Sequence, residues 1–247
     1  MNQTPFEWTP DFWQGWRESP NPYRKYKSER DRRLVLELMD LHNEEKVLEV
    51  GCGYGWISQA LLETAKIRWF GVDRSAQMLR QLHRIPSLAN ARASIADAVH
   101  LPFQNETFDK VLCTGVLMHV LESGLAAREL VRVLRPGGRL VCSINNALSP
   151  YALPVQLWNR RKRGFVQNFH FPNSFRNLLD EMGMQIADLR GDGIAATVPI
   201  NFGRFQFPPP RLFPSVQKLD KWIADHCPWL AYEVWFSGVK IVRPCTS

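Results

Sequence analysis

The sequence predicts an α/β fold in which a mostly parallel sheet carries helices on both faces. Short apolar runs that suit buried strands alternate along the chain with segments whose apolar residues recur at helical spacing. Three glycines at alternate positions, Gly51, Gly53 and Gly55, follow the first of these runs directly. Strands that alternate with helices imply parallel pairing and a sheet that is buried on both faces.

The predicted elements follow one another from residue 28 to residue 242. Strands are expected at 46–50, 67–73, 91–95, 108–114, 139–144, 184–189 and 232–242. Helices are expected at 28–41, 57–64, 75–83, 125–134 and 174–182, with Ser75 as the N-cap of the third. Proline-rich and aromatic segments at about 146–172 and 191–228 are interpreted as insertions, the second of them irregular or helical. Residues 1–40 are expected to form an aromatic, helical arm, and 41–247 the main domain.

Composition limits the classes of function. The chain has 247 residues, 45% of them apolar and 11% aromatic, which is typical of a folded globular protein. No secretory signal is evident, and the longest near-apolar run, 111–121, is too short to span a bilayer. Five scattered cysteines indicate reduced thiols and a cytoplasmic protein without a structural metal.

The net charge of +7 comes largely from two basic runs, 23–33 and 160–163. Such an excess favours nucleic acid or anionic lipid as a partner. The first run is interrupted by Glu29 and Asp31, which is typical of a solvated helix face with close pairs of opposite charge. The solvated surface is the preferred interpretation of both runs.

The glycines lie between a strand and a helix, where main-chain N–H groups can approach a ligand that carries negative charge. A dinucleotide site would need a third glycine at Trp56, and an indole there would obstruct the packing of the helix on the strand. A P-loop would need a Gly-Lys-Ser/Thr sequence, which does not follow. Asp73, which lies 22 residues after Gly51, is placed to accept hydrogen bonds from ribose hydroxyls.

Five motifs in series resemble those of class I S-adenosylmethionine-dependent methyltransferases, specifically the small-molecule group similar to the ubiquinone and menaquinone biosynthesis enzymes. The motifs are VLEVGCGYG, FGVDRS, IADAVHLPF, FDKVLCTGVLMHV and LVRVLRPGGRLV, within residues 45–145. The resemblance implies a Rossmann-like sheet of seven strands, S-adenosyl-L-methionine as the cofactor and S-adenosyl-L-homocysteine as the product. It also implies methyl transfer to a small molecule, and a metal-independent reaction is expected because the sequence shows no set of metal ligands for chelating a catechol.

The resemblance also assigns the cofactor-binding residues. It places the methionine end on the loop that contains Gly51, Cys52, Gly53 and Gly55, with support from Glu49, and the remaining parts of the cofactor on Asp73, Arg74, Ser75, Met78, Asp97, Ala98, Thr114 and Gly115. Asp97 could instead be an ordinary loop residue, and Met78 could be part of the core. A carboxylate on a buried strand, such as Glu49, needs a donor, which the ligand's ammonium or the loop N–H groups would supply.

Three residues are candidates for acid–base work in methyl transfer. His119 follows the fourth strand, His170 precedes the helix at 174–182, and Tyr23 lies in the N-terminal arm. A general base is needed only when the acceptor must lose a proton. His119 could alternatively be a structural histidine that is hydrogen-bonded to the main chain.

Acceptor specificity is expected in the segments outside the motifs. The arm carries Trp13, Trp16, Tyr23 and Tyr26 at helical spacing, either as a lid or as ordinary packing. The insertions contribute Tyr151, Leu157, Trp158, Phe165, Phe169, Phe202, Phe205 and Phe207. These side chains suit an apolar or aromatic small-molecule acceptor, and a monomer or homodimer is expected.

Other functions stay open. A nucleic-acid methyltransferase is supported by the net charge, but the amino-methylating DNA enzymes carry [DNS]PP[FYW] where this chain reads Cys113-Thr-Gly-Val116. Non-methylating chemistry on S-adenosylmethionine, such as cyclisation of its methionine chain, would leave the same cofactor motifs. A cofactor-binding scaffold without activity is the third alternative.

Overall fold

The computed structural model describes residues 9–17, 20–163, 167–193, 200–202, 205–207 and 212–241. The strands are β1 (Lys46–Val50), β2 (Arg68–Asp73), β3 (Arg92–Ile95), β4 (Phe108–Cys113), β5 (Leu134–Asn145), β6 (Met184–Asp192), β7 (Ile200–Phe202), β8 (Phe205–Phe207) and β9 (Glu233–Lys240). The helices are α1 (Pro10–Arg17), α2 (Pro22–Met39), α3 (Trp56–Thr64), α4 (Ala76–Leu82), α5 (Ser123–Val133), α6 (Ala152–Arg163), α7 (Pro172–Glu181) and α8 (Phe213–His226).

Seven strands form one sheet, in the order β3-β2-β1-β4-β5-β9-β6. Strands β1 to β5 pair in parallel, and β9 pairs antiparallel with both β5 and β6. The strand order reverses at β1, so the carboxyl ends of β1 and β4 flank a crevice where ligands bind in sheets of this kind. The prediction of a seven-stranded, mostly parallel, Rossmann-like sheet is confirmed.

Helices cover both faces of the sheet. On one face, α5 and α7 contribute Leu130 and Leu179 to a core built around Leu48, Val111 and other strand residues. On the other face, α2, α3 and α4 pack against a core that contains Val47 and Trp235. Alternate residues of β1 therefore point into different cores, as the two-residue period of a strand requires.

Helix α2 begins six residues earlier than the sequence predicts, at Pro22. The Asn21 side chain accepts a hydrogen bond from the Tyr23 N–H at 3.0 Å and caps the helix. The interpretation of the first basic run as a wholly solvated face is wrong, because Arg30 is 5% exposed and the Lys27 side chain 11%. Apolar spacing alone could not locate this first turn, since its buried face is aromatic and charged.

The segments beyond β5 contain more regular structure than the sequence predicts. The first insertion forms α6, and the second contains the β7–β8 hairpin and α8. Pro154 lies within α6, and the proline run at 208–210 lies shortly before α8, so proline content obscures both helices in the sequence. Among the described residues, no helix combines the length and the apolar character needed to cross a membrane.

Candidate active site

The glycine loop joins β1 to α3 at the carboxyl edge of the sheet. Gly51, Gly53 and Gly55 all have positive φ, at 77°, 54° and 89°. The N–H groups of Gly51 and Cys52 donate to the Val72 carbonyl at 2.7 and 3.1 Å, which fixes the start of the loop on β2. Left-handed backbone at three alternate positions is accessible to glycine at little cost, so the sequence folds here as a tight turn.

The three glycines have different surroundings. A Cβ on Gly51 would lie 2.1 Å from Val116, and one on Gly55 would lie 2.5 Å from Leu88, so these two glycines permit close packing. A Cβ on Gly53 would meet no described atom within 4 Å. Gly53 is therefore the position at which the loop backbone faces open space.

Asp73, the last residue of β2, holds the loop. Its Oδ2 accepts a hydrogen bond from the Gly53 N–H at 2.9 Å, and its Oδ1 accepts one from the Ser75 N–H at 2.8 Å. Burial raises the pKa of Asp73 above its usual value, although these two hydrogen bonds act in the opposite direction. Each oxygen keeps a second lone pair for a ligand hydroxyl.

Glu49 lies beneath the loop on the face that α3 covers. It is 5% exposed, and its Oε2 accepts hydrogen bonds from Ser58 Oγ at 2.7 Å and Trp69 Nε1 at 3.0 Å. Burial, with a smaller contribution from the charge of Asp73, raises the pKa of Glu49 to about 7 against the effect of these two donors. Side chains of α3 and β2 thus supply the donors that the sequence could not identify.

The Cys52 thiol, near the carboxylates of Glu49 and Asp73, is protonated and unreactive. Cys52 is buried, and burial together with the charges of Glu49 and Asp73 raises the pKa of the thiol far above its usual value. Its Sγ would lie 2.9 Å from a Cβ on Gly71, so it packs against β2. The protonated thiol fills space under the loop.

The residues predicted to bind adenosine follow β2 and β3. Ser75 caps α4, because its side chain accepts a hydrogen bond from the Met78 N–H at 3.3 Å. Arg74 is exposed, and Met78 is buried at 4% exposure. Asp97 accepts a hydrogen bond from the Val99 N–H at 3.2 Å, and Ala98 is buried in the core. Asp97 lies two residues beyond Ile95, which is in register with Asp73 on the neighbouring parallel strand.

The end of β4 continues into an irregular segment that carries His119. Gly115 has a φ of 69°, and its N–H donates to Ser143 Oγ at 3.1 Å; Thr114 beside it is half-buried. His119 ends a short 3₁₀ turn, Leu117–His119. Burial lowers the pKa of His119 to about 4, so the imidazole is neutral at physiological pH.

His170 lies beside this segment. The Asn168 N–H donates to the Met118 carbonyl at 2.8 Å, and the His170 N–H donates to the Asn145 carbonyl at 2.8 Å. Burial lowers the pKa of His170, and its buried Nε2 has no hydrogen-bond partner among the described residues. Residues 167–170 therefore bring the two histidine candidates to the same edge of the sheet, beyond β4 and β5.

The third candidate for catalysis, Tyr23, packs instead between helices. Its side chain is 0% exposed, and its ring meets Phe213 of α8 edge-on with centroids 5.1 Å apart. Tyr26 also contacts Phe213, at 6.0 Å. The predicted aromatic face of the arm thus meets the second insertion. The side chains of Trp13, Trp16, Trp158, Phe165, Phe202, Phe205 and Phe207 lie outside the described part of the structure.

A buried ion cluster, which sequence reasoning missed, joins α2 to the ends of β6 and β9. Lys27 Nζ lies 2.8 Å from Glu233 Oε2 and 2.5 Å from Asp192 Oδ2, and it also pairs with Asp31. Arg30 Nε lies 2.7 Å from Asp192 Oδ1. Burial lowers the pKa of Lys27, but the three carboxylates outweigh burial and hold that pKa well above its usual value.

These three carboxylates are close enough together to hold a metal ion. The Lys27 ammonium lies among them and supplies positive charge where a cation would sit. Strand register explains part of the cluster. Glu233 pairs with both Asn145 and Asp192 on the neighbouring strands, so the side chains of these three residues project to the face of the sheet that α2 covers.

Comparison with known proteins tests the predicted resemblance. Residues 48–142 match a family model described as a methyltransferase domain. This match and the methyltransferase relatives described next confirm the resemblance to class I S-adenosylmethionine-dependent methyltransferases. The matched range contains the glycine loop, Asp73, Asp97 and His119. It does not include His170 or the three carboxylates of the ion cluster, Asp31, Asp192 and Glu233.

Relatives of the methyltransferase domain include demethylmenaquinone methyltransferase of Staphylococcus aureus, which is 34% identical over 116 residues, 45% of this chain and 47% of that protein. The 2-methyl-6-phytyl-1,4-hydroquinone methyltransferase of Synechocystis sp. is 30% identical over 115 residues, 46% of this chain and 36% of that protein. The chain thus spans less than half the length of these curated relatives.

A solved structure extends the likeness beyond the methyltransferase domain to the whole fold. A methyltransferase of Haloferax volcanii, in complex with the Trm112 methyltransferase activator, superposes with a TM-score of 0.69. The likeness covers 95% of this chain and 96% of that chain at 18% identity. At this level of identity the comparison shows a shared fold.

Proposed function

We propose that this chain transfers a methyl group from S-adenosylmethionine to a small-molecule acceptor. The observation that carries the proposal is the arrangement of Glu49 and Asp73, two buried carboxylates whose pKa values burial raises, around a loop that is open at Gly53. When bound, S-adenosylmethionine supplies an electrophilic methyl group on a sulfonium, and its transfer leaves S-adenosylhomocysteine. A cationic ligand suits a site in which ionised carboxylates are costly.

The donor-side residues fit this ligand. Asp73 can accept hydrogen bonds from ribose hydroxyls with the lone pairs that Gly53 and Ser75 leave free. Asp97 follows the neighbouring strand and is half-buried, which suits an acceptor for the adenine amino group. The half-buried Thr114 and the exposed Gly115, at the end of β4, are assigned to the region of the sulfonium.

His119 is assigned to orientation of the acceptor. With a pKa of about 4, its imidazole is neutral and weakly basic, so it accepts a hydrogen bond more readily than a proton. His170 is assigned as the base when the acceptor must lose a proton, since its Nε2 has no partner among the described residues. Displacement at a methyl carbon needs no Lewis acid, so the reaction is proposed to be metal-independent.

The acceptor is proposed to have an aromatic or apolar part. The arm and α8 meet through Tyr23, Tyr26 and Phe213, and Phe169 meets Tyr232 with ring centroids 5.8 Å apart. Two relatives are named for a hydroquinone and a menaquinone precursor, which supports the same class of acceptor. An aromatic ring with an apolar substituent matches both observations.

Calorimetry with S-adenosylmethionine tests the donor side. Asp73→Asn should weaken binding about 10- to 100-fold, because a charged hydrogen-bond acceptor is worth ~1.5–3 kcal/mol. Asp188→Asn, which removes a carboxylate from an exposed ion pair with Arg190, is the matched control and should bind normally. Unchanged binding by Asp73→Asn, with melting curves that show a folded protein, would refute the assignment.

Transfer of a labelled methyl group tests the acceptor side. The protein is expected to transfer the labelled methyl group to a hydroquinone that carries a short alkyl chain, and to leave duplex DNA and transfer RNA unlabelled. Labelling of nucleic acid with none of the hydroquinone would overturn the proposed acceptor class while leaving the donor assignment intact.

A further inference from the structure

Exposed apolar side chains surround the carboxyl edge of the sheet on the side of the histidines. We call these residues the apolar rim: Leu121, Leu148, Leu153, Leu157, Phe171 and Trp229, which are 92, 50, 67, 48, 57 and 53% exposed. Monomeric proteins rarely expose large apolar side chains in groups, and such groups mark surfaces that bind a partner.

Hydrogen bonds show that these residues are neighbours rather than scattered. Asn168 bonds the main chain at Met118 and Val120, which brings the segment before Phe171 beside the segment before Leu121. The Ala147 N–H donates to the His170 carbonyl at 2.9 Å, so Leu148 follows on the other side.

The remaining members join this group through two side chains. Gln156 of α6 donates to the Gln167 carbonyl at 3.1 Å, which brings the helix that carries Leu153 and Leu157 to the same place. Asn146 donates to the Trp229 carbonyl at 2.7 Å. All six residues therefore border residues 145–147 and 167–170, next to the proposed acceptor site.

Exposed arginines accompany the apolar rim on α6 and α5. On α6, Leu153, Leu157 and Arg161 recur at four-residue spacing and are all exposed, so one helix face is apolar at one end and basic at the other. Arg160 and Arg128 are also exposed, and these three arginines form no ion pair among the described residues. The acidic residue Glu122 is exposed beside Leu121, against this basic excess.

We propose that the apolar rim docks the protein on an anionic lipid bilayer. Leucine, phenylalanine and tryptophan would enter the boundary between headgroups and acyl chains, and the arginines would pair with anionic headgroups. Charge complementarity favours this occupant, since the chain carries a net charge of +7. The inference rests on the proposed function in that a bilayer would deliver the apolar acceptor to the edge where His170 lies.

Vesicle sedimentation tests the proposal with the full chain. The protein should sediment with vesicles of phosphatidylcholine mixed with phosphatidylglycerol, and less of it should sediment with phosphatidylcholine alone. High salt should reduce the fraction that sediments with the anionic vesicles. Leu153→Glu and Phe171→Glu should each weaken binding to the anionic vesicles about tenfold. Ile241→Glu is the matched control and should bind within about twofold, because Ile241 is 45% exposed but lies beside Gly183 at the opposite edge of the sheet.

Three outcomes would overturn the docking proposal. The wild-type chain could stay in solution with anionic vesicles, or Ile241→Glu could weaken binding as much as Leu153→Glu. Sedimentation equilibrium could show that Leu153→Glu converts a homodimer to a monomer without any vesicle binding, which would make the rim an interface between two copies. Calorimetry with S-adenosylmethionine on the same samples separates the two proposals, because donor binding without vesicle binding refutes docking alone, and the reverse refutes the proposed function alone.

Discussion

Substitution of Glu49 by glutamine should remove the pH dependence that this carboxylate gives to cofactor binding. Burial raises the pKa of Glu49 to about 7, so about a tenth of the protein is ionised at this residue at pH 6 and about nine tenths at pH 8. If a cationic ligand selects the ionised form, the dissociation constant should fall about tenfold between these pH values, or ~1.4 kcal/mol.

The assay is titration calorimetry of S-adenosylmethionine at intervals between pH 6 and pH 8. An α-amino group itself titrates near ~7.7–8.0, and that contribution is common to the wild-type and Glu49→Gln curves. The difference between the wild-type and variant curves therefore isolates Glu49. Glu63→Gln, at an exposed position on the same helix as Ser58, should reproduce the wild-type curve.

Folding stability provides an independent check on the same variant. The pKa of Glu49 is raised from 4.5 to about 7, so its contribution to stability is present below pH 4.5 and lost as pH rises to about 7. The loss is ~3 kcal/mol at most. Glu49→Gln should therefore be at least as stable as wild type at pH 8. Parallel binding curves for wild type and Glu49→Gln, from folded proteins, would refute a role for the Glu49 charge in cofactor binding.

Three further predictions concern stability and the loop. Lys27→Met should lower the free energy of unfolding in urea by ~3–5 kcal/mol because it leaves buried carboxylates without their cation, whereas Lys25→Met, at an exposed pair on the same helix, should change it by less than ~1 kcal/mol. His119, whose pKa falls to about 4, should cost up to ~3 kcal/mol of stability as pH drops from 6.5 to 4, and urea melts of His119→Gln should lack that component. Gly55→Ala should lower the melting temperature more than Gly53→Ala, since its Cβ would clash with a core leucine, whereas Gly53→Ala should cost ~1–2 kcal/mol yet weaken cofactor binding measured by calorimetry.

The geometry of the glycine loop and the position of Asp73 could be predicted from sequence because their signals are local. The strand before Gly51, the alternate glycines and the helix after Gly55 lie within about twenty residues, and Asp73 ends the next strand along the chain. Strand and helix periods then place these groups at one edge of the sheet without further information. The donors to Glu49 are less accessible to sequence reasoning, since Ser58 and Trp69 become its neighbours only when α3 and β2 pack.

The ion cluster could not be predicted because its members are far apart in the chain. Lys27 and Glu233 are separated by 206 residues, and nothing in either local pattern distinguishes a buried charge from a solvated one. A basic run interrupted by acidic residues has the same periodicity in both cases. The useful signal was present in Tyr23 and Tyr26, whose spacing predicts a buried aromatic face on the helix that carries Lys27.

The contrast between the local signals of the glycine loop and the long-range contacts of the outer segments has a consequence for acceptor specificity. The glycine loop depends on positive φ at Gly51, Gly53 and Gly55, so few sequences can satisfy it, and it lies within the range that matches the family model. The segments proposed to contact the acceptor depend on long-range contacts of α2 with α8 and of α6 with residue 167, which many combinations of side chains can provide. Under the proposed function, exchange of the acceptor requires changes in these outer segments while the loop stays constant, and the exposed residues around 167–170 are where such changes cost the fold least.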